Sequence, residues 1–437
     1  MAYDLVVVGG GAGGTGAALT AARLGLRTLW LERESALGGT GVHSLVSVWQ
    51  PAYTSSRLAA EIAERLLATD QAHFTAPRAD TPSGRPIYRR DDAASYADTL
   101  QRWRDEGHTL LGPALTYDAG AMASLLEEMA AEEPCLTVRL GTVFLEALSE
   151  AGADGLRRLR AVRVAQDGEV EEVAGGHFID ATADLAVADS AGCQIRWGQE
   201  PRAAYGEPSA PEQPSLRLNG WTLCFECHEG PDRVDLPGEG SGPPADWAHI
   251  SELPGGGYNV NMVYQLAGET GWRLGRELAR EHLLRNIAGR WAGVRRAYGL
   301  EGYGITHLAP RIGVREGPRL VARYVLREQD FHRGDFGRHH PDCVAWTDHA
   351  LDRHGPDGGC TEAANGPVGV PLRCLQPQEY DNLLVACRGA GFSSIAASAV
   401  RLQRTMMELG EAAARYITTG DVPVAQLPAQ DRGARHA

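Results

Sequence analysis

Several features that are common in other protein classes are missing from this sequence of 437 residues. No apolar run approaches the roughly 18 residues that indicate a membrane span, so we expect no membrane association. No basic segment or cleavage site precedes the first apolar run, which favours a cytoplasmic protein over a secreted one. Internal repeats and low-complexity segments are also lacking, and the length predicts more than one structural unit.

Excess positive charge and a disulfide framework are missing as well. The formal net charge is -14, which disfavours nucleic acid as a partner because it repels phosphate backbones at long range. The eight cysteines show no disulfide spacing and are expected to be reduced in the cytoplasm. Residues 224–228 have the spacing of a haem attachment motif, but Leu223 and Phe225 indicate a strand, and one cysteine pair supplies too few metal ligands. We therefore predict no metal site.

The chain begins instead with a glycine-rich turn. Apolar residues 5–8 run directly into Gly9, Gly11 and Gly14, which fit the pattern G-x-G-x-x-G, as does a second frame starting at Gly11. The preceding strand selects the first frame, in which Gly9 makes the tight turn, Gly11 admits a pyrophosphate and Gly14 allows close packing of helix and strand. Free backbone N–H groups, including that of Gly13, and the helix dipole would face the pyrophosphate.

A second strand and a second glycine pair complete a dinucleotide fingerprint. Thr28–Leu31 is predicted as a strand, and Glu32 at its end lies roughly 20 residues beyond the glycines, where an acid accepts hydrogen bonds from ribose hydroxyls. Gly38, Gly39 and the adjoining Thr40 would let a loop pass close to the ligand. These residues alone fit NAD and FAD equally well.

Periodicity predicts the remaining elements. Helices are expected at 56–67, 122–129 and 284–294, with one long helix at 394–417, and strands at 137–145, 159–164, 178–179 and 382–386. The segment 70–95 is rich in Pro, Asp, Arg and Ser, which predicts an irregular excursion that serves as a lid.

These elements define the expected domains. Residues 1–197 form the nucleotide-binding part, with an irregular excursion at 68–113, and residues 198–310 form a substrate domain. Residues 311–426 complete both domains, and 427–437 are a flexible tail. The predicted fold class is α/β: a Rossmann-like domain with a parallel sheet, helices and a β-meander, carrying an inserted α+β substrate domain.

Four segments of this chain together resemble one family. They are the glycine turn with Glu32 and the loop 37–39, the strand end 179–182, the run 312–319, and the closing unit 382–413. They resemble the FAD-dependent oxidoreductases of the glutathione-reductase-like superfamily, which are distantly similar to fumarate reductase flavoproteins. The resemblance spans nearly the whole chain and implies FAD as the cofactor. The chain departs from it at Ala183, where the family tends to have glycine, and at Ser398-Ala399, where it tends to have Gly-Ser.

The resemblance also implies a place for each part of FAD. The pyrophosphate would lie at the glycine turn, the adenosine ribose at Glu32 and the adenine near Val143. The isoalloxazine would lie beside the C-terminal helix, whose N-terminus near Ser394 suits the flavin O2 carbonyl, where negative charge accumulates on reduction. Beyond the first glycines, the expected cofactor contacts are Glu32, Arg33, Gly38, Gly39, Thr40, Val143, Ala181, Thr182, Arg388, Ser394 and Ser398.

Three residues are candidates for catalysis. His43 follows the glycine loop, and His349 lies where relatives carry a histidine near the substrate; either imidazole suits a general base. Arg315 would bind a substrate anion or anchor the flavin. The alternative is that Arg315, with Glu316 and Arg319, forms a buried ion pair that orders the domain junction.

The function is predicted from the single nucleotide fingerprint. Flavin disulfide reductases carry a second one for NADPH, so oxygen or a separate acceptor is expected to reoxidise this flavin. The leading hypothesis is a dehydrogenase or oxidase that transfers a hydride from an alcohol or amine carbon of a small polar metabolite or natural-product intermediate to flavin N5. Alternatives are a reductase of an activated C=C bond and a non-catalytic redox sensor or partner protein. A hydroxylase or halogenase is less favoured, because neither a tryptophan-rich halogenase signature nor a reductase module is present. The oligomeric state is left open.

Overall fold

The structure is a computed structural model that describes residues 3–50, 57–91, 113–152, 155–238, 247–333, 340–355, 360–362 and 367–423. The tail expected at 427–437 and residues 92–112 of the expected excursion lie outside the described residues. In chain order, the helices are α1 (Ala12–Arg23), α2 (Gly39–His43), α3 (Arg57–Leu67), α4 (Ala119–Ala131), α5 (Ala186–Ser190), α6 (Arg202–Tyr205), α7 (Gly268–Leu274), α8 (Arg276–Tyr298), α9 (Glu328–His332), α10 (Ser394–Val400) and α11 (Gln403–Thr419). The strands are β1 (Tyr3–Val8), β2 (Thr28–Leu31), β3 (Val48–Trp49), β4 (Ala72–Arg78), β5 (Ile87–Asp91), β6 (Ala114–Tyr117), β7 (Leu136–Arg139), β8 (Val143–Ala151), β9 (Arg157–Gln166), β10 (Glu169–Asp180), β11 (Ile195–Arg196), β12 (Trp221–Thr222), β13 (Phe225–Glu229), β14 (His249–Glu252), β15 (Tyr258–Asn261), β16 (Tyr303–Leu308), β17 (Gly313–Val314), β18 (Arg319–Leu320), β19 (Cys343–Thr347), β20 (Leu351–Arg353), β21 (Cys360–Glu362), β22 (Val368–Pro371) and β23 (Leu383–Val385).

The first sheet joins a parallel part to an antiparallel part. Its order is β7-β2-β1-β10-β9-β8, and β23 pairs with β10. Every pair among β7, β2, β1, β10 and β23 is parallel, whereas β10-β9 and β9-β8 are antiparallel. The long strand β10 belongs to both parts, because its first half pairs with β9 and its second half with β1. This arrangement confirms the predicted Rossmann-like fold with a β-meander.

Glycines bring the C-terminal helix against the start of the chain. Helix α1 packs on α11, where a Cβ on Gly16 would overlap the Met407 carbonyl and one on Gly410 would overlap the Gly13 carbonyl. A Cβ on Gly13 would in turn overlap the carbonyl of Ala386, just beyond β23. The glycine turn is thus fixed between the first sheet and α11.

The second sheet contains eight strands in the order β16-β13-β15-β14-β5-β4-β6-β3. The prediction of an irregular excursion at 68–113 was wrong where β4 and β5 lie, because both strands pair within this sheet. The polar residues that suggested irregularity lie toward the ends of these strands, while residues 72–76 and 87–88 are buried. Helix α8 belongs to the same core, and its predicted stripe is confirmed by the burial of Ile287, Trp291 and Val294.

The C-terminal helix predicted at 394–417 is two helices. Leu402 has an extended backbone, with φ of -64° and ψ of 142°, and it separates α10 from α11. Apolar periodicity continues across this break, which explains why the sequence predicts one helix. Among the described helices, none combines the length and the apolar character needed to cross a membrane.

Candidate active site

The glycine turn has space on one side only. Gly9 has φ of +112°, and a Cβ on it would overlap the Ala181 carbonyl, while a Cβ on Gly14 would overlap the Gly9 carbonyl. These glycines are required by packing. Gly11 differs, because the nearest atom to a Cβ there would be the Cα of Gly39 at 3.9 Å. The backbone at the start of α1 is therefore open where the sequence predicts a pyrophosphate.

Glu32 closes this turn from the end of β2. One of its carboxylate oxygens accepts the N–H of Gly10, and the other accepts the N–H of Glu34 at 2.8 Å. The N–H of Gly38 donates to the Gly10 carbonyl at 2.8 Å, so the second glycine pair returns to the first turn. Each Glu32 oxygen keeps a lone pair that a ribose hydroxyl could use.

Other predicted cofactor contacts lie around this edge. The N–H of Thr142 donates to the carbonyl of Glu32 at 2.9 Å, which places the neighbouring Val143 beside the acid with 45% of its surface exposed. Arg33 and Thr40 are exposed. Their contact with the adenosine part of FAD stays a prediction.

The strand end of β10 is held by its own side chains. The Thr182 hydroxyl donates to Asp180 at 2.7 Å and accepts the N–H of Ala186 at 2.8 Å. Ala181 is buried against Gly9. Ala183, which replaces the family's glycine, has φ of +65° and keeps the left-handed conformation that glycine adopts more easily. The backbone path is therefore retained despite the substitution.

Two arginines converge on one acid beyond this strand end. Asp184 accepts a hydrogen bond from Arg388 at 2.6 Å and one from Arg276, the first residue of α8, also at 2.6 Å. Burial and the charges of Arg33 and Arg388 lower the pKa of Arg276, although Asp184 opposes this. The sequence analysis named Arg388 and Arg33 but missed Asp184 and Arg276, which no motif marks.

The start of α10 is occupied by protein groups. The N–H of Ser394 donates to Glu200 at 3.0 Å, and its hydroxyl donates to Glu316 at 2.6 Å. Ser398 is fully buried, and its hydroxyl donates to the Ile395 carbonyl at 2.6 Å within the helix. This differs from the expected flavin O2 contact of Ser394 and Ser398, because carboxylates already satisfy this helix end.

Arg319 forms a buried ion network with two acids, while its Nε has no hydrogen-bond partner among the described residues. Its guanidinium lies 2.6 Å from Glu316 and 2.9 Å from Glu200, with side chains no more than 5% exposed, and it also donates to the Gly198 carbonyl. Burial lowers the pKa of Arg319, but the two acids more than offset this and raise it. For Arg319 and Glu316, the structure has the buried ion pair that was the alternative to substrate binding.

Arg315 lies in a different environment. It donates to the Gly220 carbonyl at 2.9 Å, to the Thr222 hydroxyl at 2.5 Å and to the Asn261 side chain at 3.3 Å, all of which are uncharged. Burial, together with the charge of Arg401, lowers the pKa of Arg315 to about 10. The guanidinium is thus half-buried and cationic at neutral pH, with uncharged acceptors in all three of these hydrogen bonds.

A histidine and an acid adjoin this arginine. His354 Nε2 lies 2.6 Å from Asp352, which also accepts a hydrogen bond from Arg401 at 3.0 Å. Although burial raises the pKa of Asp352, the hydrogen bond from His354 and the charge of Arg401 hold it well below its usual range. Asp352 is therefore anionic, so Nε2 of His354 carries the proton and Nδ1 keeps a lone pair.

Two neutral histidines belong to this group. Burial lowers the pKa of His354 to about 4, with a contribution from Arg315, and burial lowers the pKa of His349 to about 4. His349 Nδ1 donates to the Ala350 carbonyl at 2.7 Å. The structure thus brings His349 and Arg315 into one cluster with Asp352. These are two of the three predicted catalytic residues, and their roles stay a prediction.

His43, the third candidate, is elsewhere. Its Nε2 lies 2.9 Å from the Ala36 carbonyl, and its own carbonyl accepts the N–H of Arg311 at 2.8 Å. It therefore orders the loop around the second glycine pair.

The cluster lies beside the segment that follows this loop. The Gln403 side chain at the start of α11 donates to the Val46 carbonyl at 2.8 Å, and the Ser44 hydroxyl donates to the Ile312 carbonyl at 3.2 Å. Arg315 and Arg401 therefore flank the junction between this segment and α11. Several buried polar atoms near the junction and the glycine turn have no hydrogen-bond partner among the described residues: Ser47 Oγ, Arg388 Nε, Arg401 Nε and Thr405 Oγ1. These donors and the open side of Gly11 fit a cofactor with a diphosphate and a polar ring.

Comparison with known proteins identifies the family. The family model described as FAD dependent oxidoreductase matches residues 4–420. The chain belongs to this family. FAD is therefore its cofactor, and the residues above fit that group. The glycine turn with Glu32 would hold the diphosphate and ribose, and the start of α11 with segment 44–47 would border the ring.

Two solved structures are similar to this chain in fold. The chain is 13% identical to a flavoprotein/dehydrogenase from Cytophaga hutchinsonii, with a TM-score of 0.50, covering 96% of this chain and 78% of that one. It is 15% identical to a myxobacterial chondrochloren halogenase, described as a variant of FAD-dependent halogenases, with a TM-score of 0.50 and coverage of 96% and 75%. A dihydrolipoyl dehydrogenase of Trypanosoma brucei brucei is 63% identical over 38 residues, which span 9% of this chain and 8% of that protein.

His354 and Asp352 were not predicted as site residues, although their two-residue spacing indicates that they share a face. Residues two apart in a strand point to the same face, and Asp352 and His354 have this spacing at β20. The pairing of Arg401 with Asp352 is visible only in the tertiary structure.

Proposed function

We propose that this FAD-dependent oxidoreductase is a dehydrogenase or oxidase that acts on an alcohol or amine carbon of a small polar substrate. The observation that supports this best is the pair of Asp352 and His354 beside Arg315. Bound FAD would supply the two-electron acceptor, and oxygen or a separate acceptor would regenerate it. The residues of the chain would bind the substrate and manage its proton.

His354 is proposed as the general base. It is neutral at neutral pH, so its Nδ1 can accept the proton of a substrate hydroxyl or amine. Asp352 fixes the tautomer through Nε2 and would stabilise the imidazolium once the proton has been accepted. This role replaces the one expected of His43, and it makes His349 the second candidate for the base.

Arg315 is proposed to orient the substrate. Its hydrogen bonds to uncharged groups hold the guanidinium in place without neutralising it. An electronegative substrate atom would therefore be attracted toward it, next to the base.

The charge states of the two histidines favour oxidation over reduction of a C=C bond. Reduction requires an acid that protonates the substrate carbon, and histidines with a pKa of about 4 hold no extra proton at neutral pH. The chain also contains no lysine, so no primary amine side chain is present for imine or haloamine chemistry.

Anaerobic mixing tests the proposal. The FAD-loaded enzyme is mixed without oxygen with a panel of alcohols and amines, and loss of the oxidised flavin absorbance is followed. We expect bleaching by at least one compound, with a rate about 100-fold lower in His354→Gln. His349→Gln tests the second candidate: it should retain most of the rate, and a larger loss than in His354→Gln would assign the base to His349 instead.

Other outcomes separate the alternatives. Bleaching by no compound, with reoxidation of the reduced enzyme by an unsaturated carboxylate, would establish the C=C reductase instead. Oxygen incorporated into the product would indicate a hydroxylase. A flavin that stays oxidised with every compound and acceptor would favour the redox sensor.

A further inference from the structure

Arg276 and Arg388 share one carboxylate, that of Asp184, so their combined positive charge exceeds its negative charge. Arg276 and Arg388 each lie 2.6 Å from the same carboxylate. Arg33, whose charge also acts on Arg276, is paired with Glu34 at 3.2 Å. Two guanidiniums thus share one acid, and the Nε of Arg388 is buried without a hydrogen-bond partner among the described residues.

The position of this pair relates it to the glycine turn. Asp184 follows the strand end that packs against Gly9, and Arg33 follows Glu32, which accepts the N–H of Gly10. The arginines and the open backbone of Gly11 therefore lie at the same end of the first sheet. A diphosphate held there would offset the excess positive charge and receive hydrogen bonds from the backbone N–H groups at the start of α1.

We propose that Arg276, together with Arg388, binds the diphosphate of FAD over the glycine turn. Arg276 begins α8, whose buried side belongs to the core around the second sheet. The cofactor would thus be held by residues from both cores, and its binding would strengthen their contact. Trp221 and Trp272 support the position of Arg276, since its guanidinium lies 5.8 Å and 5.7 Å from their ring centres.

Flavin titrations test this assignment. FAD is removed from the full-length enzyme, and the apoprotein is titrated with FAD and with riboflavin, which lacks the diphosphate, by following flavin fluorescence. We expect Arg276→Gln to weaken FAD binding by about 10- to 100-fold and to leave riboflavin binding unchanged. The control is Arg285, which lies on the same helix and pairs with the exposed Glu281. Arg285→Gln changes the net charge equally and should change neither affinity.

Inorganic pyrophosphate gives a second readout. It should raise the melting temperature of the wild-type apoprotein and raise it less in Arg276→Gln, which also shows that the variant folds. If Arg276→Gln folds poorly, Arg388→Gln is tested in the same way and should show the same selective loss. Equal losses of FAD and riboflavin affinity, or no loss of either, would overturn the proposal. An unchanged FAD affinity with a raised KM for the substrate would assign the arginines to a substrate anion instead.

Discussion

Arg315 and Arg319 belong to the same short stretch of chain, yet Arg319 is buried and Arg315 half-buried, and their surroundings differ. Arg319 is enclosed by two carboxylates, whereas the hydrogen bonds of Arg315 go to uncharged oxygens. A buried ion pair whose members satisfy each other has little capacity left for a ligand. A cation whose hydrogen-bond partners are uncharged is not neutralised by them and can still attract a negatively polarised ligand atom. We therefore propose that the Arg319 network orders the domain junction and that the Arg315 cluster binds the substrate.

The largest expected effect comes from breaking the Arg319 network. Arg319→Met leaves Glu316 and Glu200 buried without their shared cation, and we expect it to lower the free energy of unfolding by about 3–5 kcal/mol. Arg315→Met should lower it by less, because its hydrogen-bonding partners are uncharged. Urea denaturation of both FAD-loaded variants measures the difference. Equal losses would remove the structural distinction between the two arginines.

The next effect concerns turnover and not stability. Asp352→Asn removes the charge that orients His354, so we expect kcat to fall about 100-fold with little change in KM or in FAD content. Asp352→Glu should restore part of the rate, because it keeps the carboxylate. A purely structural role would instead lower FAD content and leave the pH profile of the remaining activity unchanged.

The two regions should also differ in their response to acid. Burial lowers the pKa of His354 from 6.5 to about 4, so below pH 6.5 the unfolded chain binds a proton that the folded chain does not. Stability should therefore rise with pH between about 4 and 6.5. His354→Gln should remove the contribution of this histidine, up to about 1.4 kcal/mol per pH unit, whereas Arg319→Met keeps His354 and therefore this contribution. Urea denaturation at several pH values within this window measures both slopes, and an unaltered slope in His354→Gln would contradict the buried neutral histidine.

Features that are encoded in a short stretch of sequence were predicted better than features that form only through tertiary packing. The glycine turn and Glu32 lie within one strand-helix-strand unit, so their spacing is visible in a short stretch of sequence. The second sheet was missed in part because β4 also pairs with β6 and β5 with the distant β14, which local composition does not report. The histidine cluster was found only in part, because Asp352 and Arg401 come together through the packing of β20 on α10.

The smallest expected effects come from removing one hydroxyl in each region. Thr222→Val deletes the acceptor at 2.5 Å from Arg315, and Ser394→Ala deletes the donor at 2.6 Å from Glu316. Each should lower stability by about 1 kcal/mol, the net value of such a hydrogen bond. Only Thr222→Val should also raise KM, because it loosens the cation that we propose orients the substrate. Steady-state kinetics and FAD titration distinguish the two variants. A selective loss of FAD affinity in Ser394→Ala would return Ser394 to the flavin, as the sequence predicted, and would make the Arg319 network part of the cofactor site.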